Sequence, residues 1–334
     1  MPIDDRPTIA APDDDPYLWL EEIEGEPALD FVDRQSRRTL EAFGNPQFAR
    51  DRDALAAILD RNDNIPYITR SSGLVYNLWK DAKNPRGIWR RTTLADFRKR
   101  EPAWETLLDI DRLAVDEDAD WLLNWAQLQA GDKPRAIVAL SRGGSDAVTL
   151  REFDLDAKAF VADGFTLPEA KSGVEWVDAD TLLLSSSLGE GMATTSGYAR
   201  TVRLWRRGET VERAPVVFEV PADRMSAYAS VDDTGPAQRV WFIDRIDFFN
   251  HDLRLGTETG PHTKLDLPTD IWVEAHRDWL AVKLRGAWTA AGKTYAPDSV
   301  LGISLSAFLD GDRDFTLVFE PGPRRALQGL FWAA

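Results

Sequence analysis

Serine, histidine and carboxylate side chains are the groups in this sequence whose chemistry could support hydrolysis. A serine nucleophile is typically presented by a Gly-x-Ser-x-Gly turn, because the small flanking residues tolerate a strained backbone. The nearest match is GISLS at residues 302–306, which lacks the second glycine and lies within an alternating apolar pattern. We therefore predict that Ser304 is a strand residue and not a nucleophile.

A serine hydrolase also needs a histidine that a carboxylate orients. The chain has three histidines, His251, His262 and His276, and local sequence places each of them in a turn or hairpin. Adjacent strand residues point to opposite faces, so Asp252 is not placed to orient His251. The histidines also lack the short paired spacing of zinc ligands, and there is no cysteine. The sequence therefore predicts no catalytic residue, no metal site and no cofactor in this chain.

The elements that would position these side chains are short strands joined by turns. Residues 136–140 are apolar enough for a buried strand, and RGGSD at residues 142–146 supplies the glycines of a tight turn. Residues 148–155 then alternate, apart from a slip at Glu152 where a β-bulge could sit. A further edge segment is predicted at residues 158–162. Together these segments predict a meander of antiparallel strands.

The same meander recurs at four other places, about every 45–60 residues, which is typical of the four-stranded blades of a β-propeller. A short strand opens each unit, at residues 66–69, 121–127, 174–177, 226–231 and 271–274. Five such units predict an all-β propeller with a buried set comprising Ile137, Val138, Val240, Phe242, Leu280 and Val282. Residues 327–332 predict the first strand of a sixth unit, so we expect a propeller that is incomplete at its carboxyl end.

The amino-terminal region differs in character from the strands. Residues 1–14 are rich in proline and aspartate and predict a flexible tail, whereas residues 15–64 predict a helical segment that precedes the propeller of residues 65–334. One helix is predicted over residues 27–43, and Asn45 with Pro46 predicts the cap and first turn of a second. These helices carry apolar faces that must be buried against another surface.

Four motifs resemble those of the prolyl oligopeptidase family of serine peptidases. DPYLWLE at residues 15–21, followed by a helix with Phe31 and Val32, is similar to the family's amino-terminal signature. NPRGIW at residues 84–89, GSD at residues 144–146 and SGYARTV at residues 196–202 are similar to blade motifs. The resemblance implies a seven-bladed propeller that caps an α/β-hydrolase domain carrying the catalytic triad.

On this resemblance, the chain is the substrate-gating propeller of a serine endopeptidase that acts on short peptides. The partner would be an α/β-hydrolase catalytic domain, either downstream or in trans, because the chain ends about five and a half blades into the family pattern. The resemblance places Trp19, Phe31 and Asp146 on the face turned toward that domain. For Asp146 the alternative is a turn aspartate that caps its own backbone.

Two other classes of function stay open at this point. A stand-alone propeller could serve as a scaffold or a carbohydrate-binding module. A five-bladed propeller could also be a glycosidase that uses a carboxylate pair, whose separation the sequence does not reveal.

The charge and hydropathy of the sequence restrict which partners and which location in the cell we expect. A net charge of −16 without a basic stripe argues against nucleic acid. No run approaches the ~20 apolar residues of a membrane span, and the acidic amino terminus lacks a secretion signal. We expect a soluble, cytoplasmic protein.

Overall fold

The computed structural model describes residues 16–22, 25–61, 63, 67–129 and 134–332. The flexible tail predicted for residues 1–14 lies outside the described residues. Contacts divide the chain into two compact units, one of Met1–Ile65 with Asp81–Lys83 and the other of Pro66–Lys80 with Asn84–Ala334. The first unit is built mainly from helices and the second mainly from strands.

The first unit contains a 3₁₀ turn (Leu18–Glu21) and two helices, α1 (Glu26–Phe43) and α2 (Pro46–Leu59). The predicted cap of the second helix is confirmed, because the Asn45 side chain accepts a hydrogen bond of 3.0 Å from the backbone N–H of Phe48. A proline in the first turn suits this start, since its missing N–H has no intrahelical partner to lose.

Both helices expose apolar side chains. Among the described residues, Ala28 is the one buried position of α1, and α2 has none. The exposed residues are Leu29, Val32, Leu40 and Phe43 on α1, and Phe48, Leu55, Ile58 and Leu59 on α2. Apolar surface of this extent is typical of a site of association.

The second unit contains antiparallel sheets whose strands are adjacent in sequence. The first sheet comprises β1 (Thr69–Ser71), β2 (Leu74–Asp81), β3 (Asn84–Thr93) and β4 (Glu105–Asp109), with two short helices after β3 and β4, α3 (Leu94–Phe97) and α4 (Ile110–Asp116). The second sheet comprises β5 (Trp121–Leu128), β6 (Arg135–Arg142), β7 (Val148–Asp154), β8 (Ala159–Phe160) and β9 (Thr166–Ala170). Both β8 and β9 pair with β7.

Three more sheets repeat this order. The third comprises β10 (Ser172–Asp178), β11 (Thr181–Ser186), β12 (Thr201–Arg206) and β13 (Val216–Glu219). The fourth comprises β14 (Ser226–Asp232), β15 (Arg239–Arg245), β16 (His251–Gly256) and β17 (His262–Lys264). The fifth comprises β18 (Ile271–His276), β19 (Trp279–Leu284), β22 (Val300–Ser304) and β23 (Thr316–Phe319). Between β19 and β22 the chain forms a separate hairpin of β20 (Trp288–Ala290) and β21 (Lys293–Tyr295), and the short helix α5 (Leu305–Leu309) follows β22.

Each pair of consecutive sheets encloses its own hydrophobic core. Side chains alternate between the two faces of a strand, so β11 sends Leu182 and Leu184 into the core shared with the second sheet. The intervening Leu183 enters the core shared with the fourth sheet, beside Val240 and Phe242. Sheets buried on both faces in this way explain why the strands read as apolar runs. The predicted core is confirmed, since Ile137, Val138, Val240, Phe242, Leu280 and Val282 are all fully buried.

The bulge predicted at Glu152 is wrong. The register between β6 and β7 runs without a shift from Arg135 opposite Asp154 to Leu140 opposite Thr149. The alternation slips at this point because both faces of β7 are buried: Leu150 lies in the core toward the third sheet and Phe153 in the core toward the first.

Two predicted strands also differ from the structure. The alternating pattern around residues 302–306 predicted strand structure, but β22 ends at Ser304, whose side chain caps the start of α5. Residues 327–332, expected to open a sixth unit, form no strand. A strand needs a neighbouring backbone for its N–H and C=O groups. This segment is instead held by side chains, since Lys283 Nζ donates to the Leu327 carbonyl at 3.1 Å and Trp332 stacks on His276.

Candidate functional site

The serines of the GISLS motif serve the local fold. Ser304 Oγ donates to Asp278 Oδ2 at 2.7 Å, and it accepts a hydrogen bond from the backbone N–H of Ala307 at 3.2 Å. Ser306 Oγ also donates to Asp278 Oδ2, at 2.9 Å. These hydrogen bonds hold the pKa of Asp278 below its usual value, with the one from Ser304 contributing most. The arrangement stabilises the start of α5 and shows no strained elbow.

The three histidines lie at the ends of strands and are half-buried. His251 opens β16, and burial together with the nearby Arg245 and Arg285 lowers its pKa. His262 packs its ring against Phe218 and Phe242 at centroid distances of 5.5 and 5.0 Å. The His262 ring is therefore used in packing, although the sequence predicted a turn position for it.

Trp19 and Phe31 contact one another within the first unit. Their ring centroids are 5.7 Å apart in an edge-to-face arrangement, and Trp19 Nε1 donates to the carbonyl of Pro16 at 3.1 Å. Both side chains remain only partly buried. This contact ties the 3₁₀ turn to the first half of α1 and keeps aromatic surface available.

Asp146 is exposed in the turn between β6 and β7, the turn that the sequence predicted at residues 142–146. Its carboxylate lies 3.8 Å from Lys171 Nζ with 75% of the side chain exposed. The capping role that the alternative assigned to Asp146 belongs to Ser145, whose Oγ accepts a hydrogen bond from the backbone N–H of Ala147 at 3.1 Å.

Glu152 is the centre of a buried ionic cluster that the sequence did not reveal. Its carboxylate, fully inaccessible to solvent, accepts hydrogen bonds from Arg135 at 2.8 Å and from Arg207 at 2.7 and 3.1 Å. It also accepts one from the backbone N–H of Phe165 at 2.9 Å. Burial alone would raise the pKa of Glu152, but these donors outweigh burial and the pKa lies below its usual value. Because Arg207 directly follows β12 of the third sheet, the cluster joins the second sheet to the third.

The first strands of the second, third and fourth sheets lie next to one another, and polar side chains from the second and third sheets meet there. β5 and β14 both contact β10. From β10, Glu175 accepts a hydrogen bond of 2.9 Å from Gln127 Nε2 on β5. Burial raises the pKa of Glu175 to about 7. A carboxyl group desolvated at the edge of a cavity is a candidate for ligand binding.

Two cavities, of about 170 and 380 Å³, are lined by both Gln127 and Glu175. We call them together the inner cavity. Neither Gln127 nor Glu175 stood out in the sequence, because single polar residues in predicted strands are common. One signal in the sequence could have identified them. Gln127 and Glu175 lie in the opening strands of two consecutive units, at positions where an alternating pattern would place apolar residues.

Two other features, a cluster of metal ligands and a membrane-spanning helix, do not occur in the described residues. Nowhere in this part of the chain do three or more histidine or acidic side chains group closely enough to hold a metal ion. No described helix combines the length and apolar character required to cross a bilayer.

Comparison with known proteins identifies relatives of this architecture. A family profile described as the N-terminal β-propeller domain of prolyl oligopeptidase matches residues 10–238. An uncharacterized peptidase of Sinorhizobium fredii is 31% identical over 98% of this chain and 47% of its own length. An uncharacterized peptidase of Rickettsia prowazekii is 28% identical over 91% of this chain and 44% of its own length. The chain thus spans about half the length of these curated relatives.

Solved structures show the same architecture. A post-proline cleaving enzyme from Rickettsia typhi superposes with a TM-score of 0.81 at 27% identity, over 91% of this chain and 46% of that enzyme. Oligopeptidase B from Leishmania major gives a TM-score of 0.66 at 11% identity, over 90% of this chain and 41% of that protein, and shows the fold alone. The repeated sheets, the amino-terminal helices and the profile match agree, and the chain belongs to the prolyl oligopeptidase family as its amino-terminal β-propeller part.

Proposed function

We propose that this chain is the substrate-gating propeller of a prolyl oligopeptidase-like serine endopeptidase that acts on short peptides. One observation carries the proposal: the similarity to the post-proline cleaving enzyme covers 91% of this chain and 46% of that enzyme. The other half of such an enzyme would be an α/β-hydrolase domain that supplies the catalytic triad. A cytoplasmic location remains a prediction.

The chemistry of the described residues supports the assignment of catalysis to the hydrolase half and of substrate gating to the propeller half. Ser304 and Ser306 donate hydrogen bonds to Asp278 at a helix start, and the three histidines lie at strand ends. A serine nucleophile needs a base strong enough to take its proton, and the lowered pKa of Asp278 makes this carboxylate a poor one. The proposal therefore assigns the nucleophile, base and orienting carboxylate to the hydrolase domain.

We further propose residues 15–64 as the helical segment and residues 65–334 as the propeller domain. The exposed apolar residues of α1 support a role for the helical segment in binding the hydrolase domain, with Trp19 and Phe31 contributing to that surface. Asp146 is proposed as a polar contact from the propeller domain, which its exposure permits.

The test compares the chain alone with the chain plus the hydrolase half encoded by the same gene. The chain alone should neither cleave a proline-containing fluorogenic peptide nor react with a fluorophosphonate probe. Addition of the hydrolase half should restore cleavage of short peptides and spare folded proteins. Stoichiometric labelling of a serine in the chain alone would overturn the proposal, with Ser304→Ala and Ser306→Ala variants locating the labelled residue. In-frame DNA after codon 334 without a Gly-x-Ser-x-Gly elbow, and no such partner in trans, would also overturn it.

A further inference from the structure

The turn between β15 and β16 exposes two adjacent phenylalanines. Phe248 is 78% exposed and Phe249 is 63% exposed. In the described part of the chain, no other connection between the second and third strands of a sheet carries an exposed large apolar side chain. Single exposed apolar residues are common on protein surfaces, but an adjacent pair on one projecting turn is typical of a site of association.

Hydrogen bonds fix the backbone of this turn. The Asp247 carboxylate accepts from the backbone N–H groups of Phe249 at 2.7 Å and of Asn250 at 2.8 Å. The Asn250 carbonyl accepts from the N–H of Ile246 at 2.9 Å, and Thr269 Oγ1 donates to the Asn250 side chain at 3.0 Å. The backbone that carries the two phenylalanines is therefore ordered before a partner binds, which lowers the entropy cost of binding.

Two arginines flank the turn and form no ion pair. The guanidinium carbon of Arg285 lies 5.2 Å from the centroid of the Phe249 ring, and that of Arg245 lies 5.8 Å from the Tyr228 ring. Burial, and then the charges of both arginines, lower the pKa of His251, so the two guanidinium groups lie near the same imidazole ring. Neither arginine pairs with a carboxylate of the described residues, although the chain has 56 acidic side chains.

The position of the turn indicates which partner it meets. In a propeller the first strands of all sheets run in the same direction, so the turns between second and third strands lie at one end. The β15–β16 turn therefore lies at the same end as the turn that contains Asp146, which is proposed above as a contact with the hydrolase domain. This chain covers 46% of the post-proline cleaving enzyme, which leaves a second half of similar length to supply the surface that binds the turn.

We propose that the β15–β16 turn is a docking element for the hydrolase domain. Phe248 and Phe249 fill an apolar pocket on that domain, and Arg245 and Arg285 pair with carboxylates at the rim of the pocket. Aromatic and arginine side chains are the ones that contribute most to the energy of protein interfaces. The choice of partner rests on the proposed function, whereas the assignment of the turn as a site of association rests on its exposure and order alone.

The experiment is a calorimetric titration of the whole chain with the separately expressed hydrolase half. The double substitution Phe248→Ser with Phe249→Ser should weaken binding by about 30-fold or more, as expected when two interface anchors are removed. Leu309→Ser is the matched control and should change affinity by less than about twofold. Leu309 is 47% exposed on α5, which follows the third strand of its sheet and so lies at the other end. The substituted side chains are exposed, so the midpoints of urea unfolding should stay close to that of the wild type.

The double substitution Arg245→Gln with Arg285→Gln tests the charged rim. It should weaken binding most at low ionic strength, because salt screens exposed charges. Arg206→Gln is its control, since Arg206 is exposed at the end of β12, at the other end of the sheets. The control should leave both the affinity and its salt dependence unchanged, and equal effects of the two changes would count against the rim.

A crosslink gives a second measurement that depends on position alone. The chain contains no cysteine, so a Phe248→Cys variant can carry a single photo-crosslinker. Irradiation should link this variant to the hydrolase half, whereas the same label on a Leu309→Cys variant should give no such product. A product with a second copy of the chain, or with an added proline-containing peptide, in place of the hydrolase half would overturn the choice of partner.

The outcomes separate this inference from the proposed function. Equal affinity of the wild-type chain and the double phenylalanine variant would overturn the docking element, and restored peptide cleavage would still support the gating function. Failure of the wild-type chain to bind the hydrolase half at micromolar concentration would also overturn the docking element. Binding that depends on the two phenylalanines without restored cleavage would refute the gating function and leave the docking element standing.

Discussion

Replacing Glu152 by glutamine should weaken the junction between the second and third sheets. The substitution preserves the side-chain shape and an acceptor for the Phe165 N–H, but it removes the charge that compensates Arg135 and Arg207. Loss of one partner from a buried ion pair costs about 3–5 kcal/mol. The side chains of Arg135 and Arg207 keep 31% and 27% of their exposure, so water can partly solvate them. We therefore expect a loss at or just below the lower limit of this range, about 2–3 kcal/mol in the free energy of unfolding.

The assay is urea unfolding at pH 7, with the midpoint compared at an unchanged m-value. Glu105→Gln is the matched control, because Glu105 also pairs with two basic residues, Arg91 at 2.6 Å and Lys158 at 2.8 Å, but is 41% exposed. Glu105→Gln should lower the free energy of unfolding by less than about 1 kcal/mol. Equal losses in the two variants would refute the conclusion that burial makes the Glu152 cluster important.

The stability difference between wild type and Glu152→Gln should also depend on pH. The pKa of Glu152 lies below its usual value in the folded chain, so its contribution is complete above the unfolded-state pKa near 4.5 and disappears as pH falls through the folded pKa. The difference between wild type and Glu152→Gln should be constant above about pH 5.5 and should shrink below about pH 4.5. A difference that grows on acidification would contradict the sign of this linkage.

Three other substitutions have defined outcomes. Ser304→Ala should lower stability by about 1 kcal/mol in urea unfolding, since it removes the cap of α5 and a donor to Asp278, and no change would count against the capping role. Gly256→Ala should cost about 1–3 kcal/mol in the same assay, because the added Cβ would lie 2.5 Å from the carbonyl oxygen of Pro261, and a neutral result would show that this backbone can move. Glu175→Gln should stabilise the chain by about 1–3 kcal/mol at pH 8 and not at pH 4: burial raises the pKa of Glu175 to about 7, so stability falls as pH rises from 4.5 to 7. Equal stability of Glu175→Gln and wild type at pH 8 would mean that Glu175 is solvated.

The repeated strands were predictable because their signal is local. An apolar run before the glycine-rich turn of residues 142–146 predicted β6, and the predicted buried residues Val240, Phe242, Leu280 and Val282 are indeed buried within β15 and β19. Strands at sheet edges carry a weaker signal. The segment predicted at residues 158–162 contains only β8 (Ala159–Phe160), and the longer edge strand β9 (Thr166–Ala170) was missed. β9 includes a proline and is mostly exposed, so pairing with β7 decides its structure.

The polar sites were not predictable because they depend on contacts between distant residues. Glu152 and Arg207 are 55 residues apart, and Gln127 and Glu175 are 48 residues apart. In the sequence, Glu152 is an irregularity in an alternating strand, and its partners become visible only when two sheets pack. The Ser304 motif shows the opposite case, where a local pattern excluded a nucleophile but did not reveal that a helix starts there.

The separate core between each pair of consecutive sheets has a consequence for how this sequence can vary. Leu183 shares a cluster with Phe242, while Leu182 and Leu184 share another with Ile137. Interaction energies between substitutions are appreciable for residues in contact and small for distant ones. Epistasis should therefore be confined to neighbouring sheets, and a core substitution in one sheet should be rescued by a change in the next sheet. Exchange of one interior sheet between relatives should disturb only the two cores that it borders, and exchange of two adjacent interior sheets should also disturb two while it preserves the core between them.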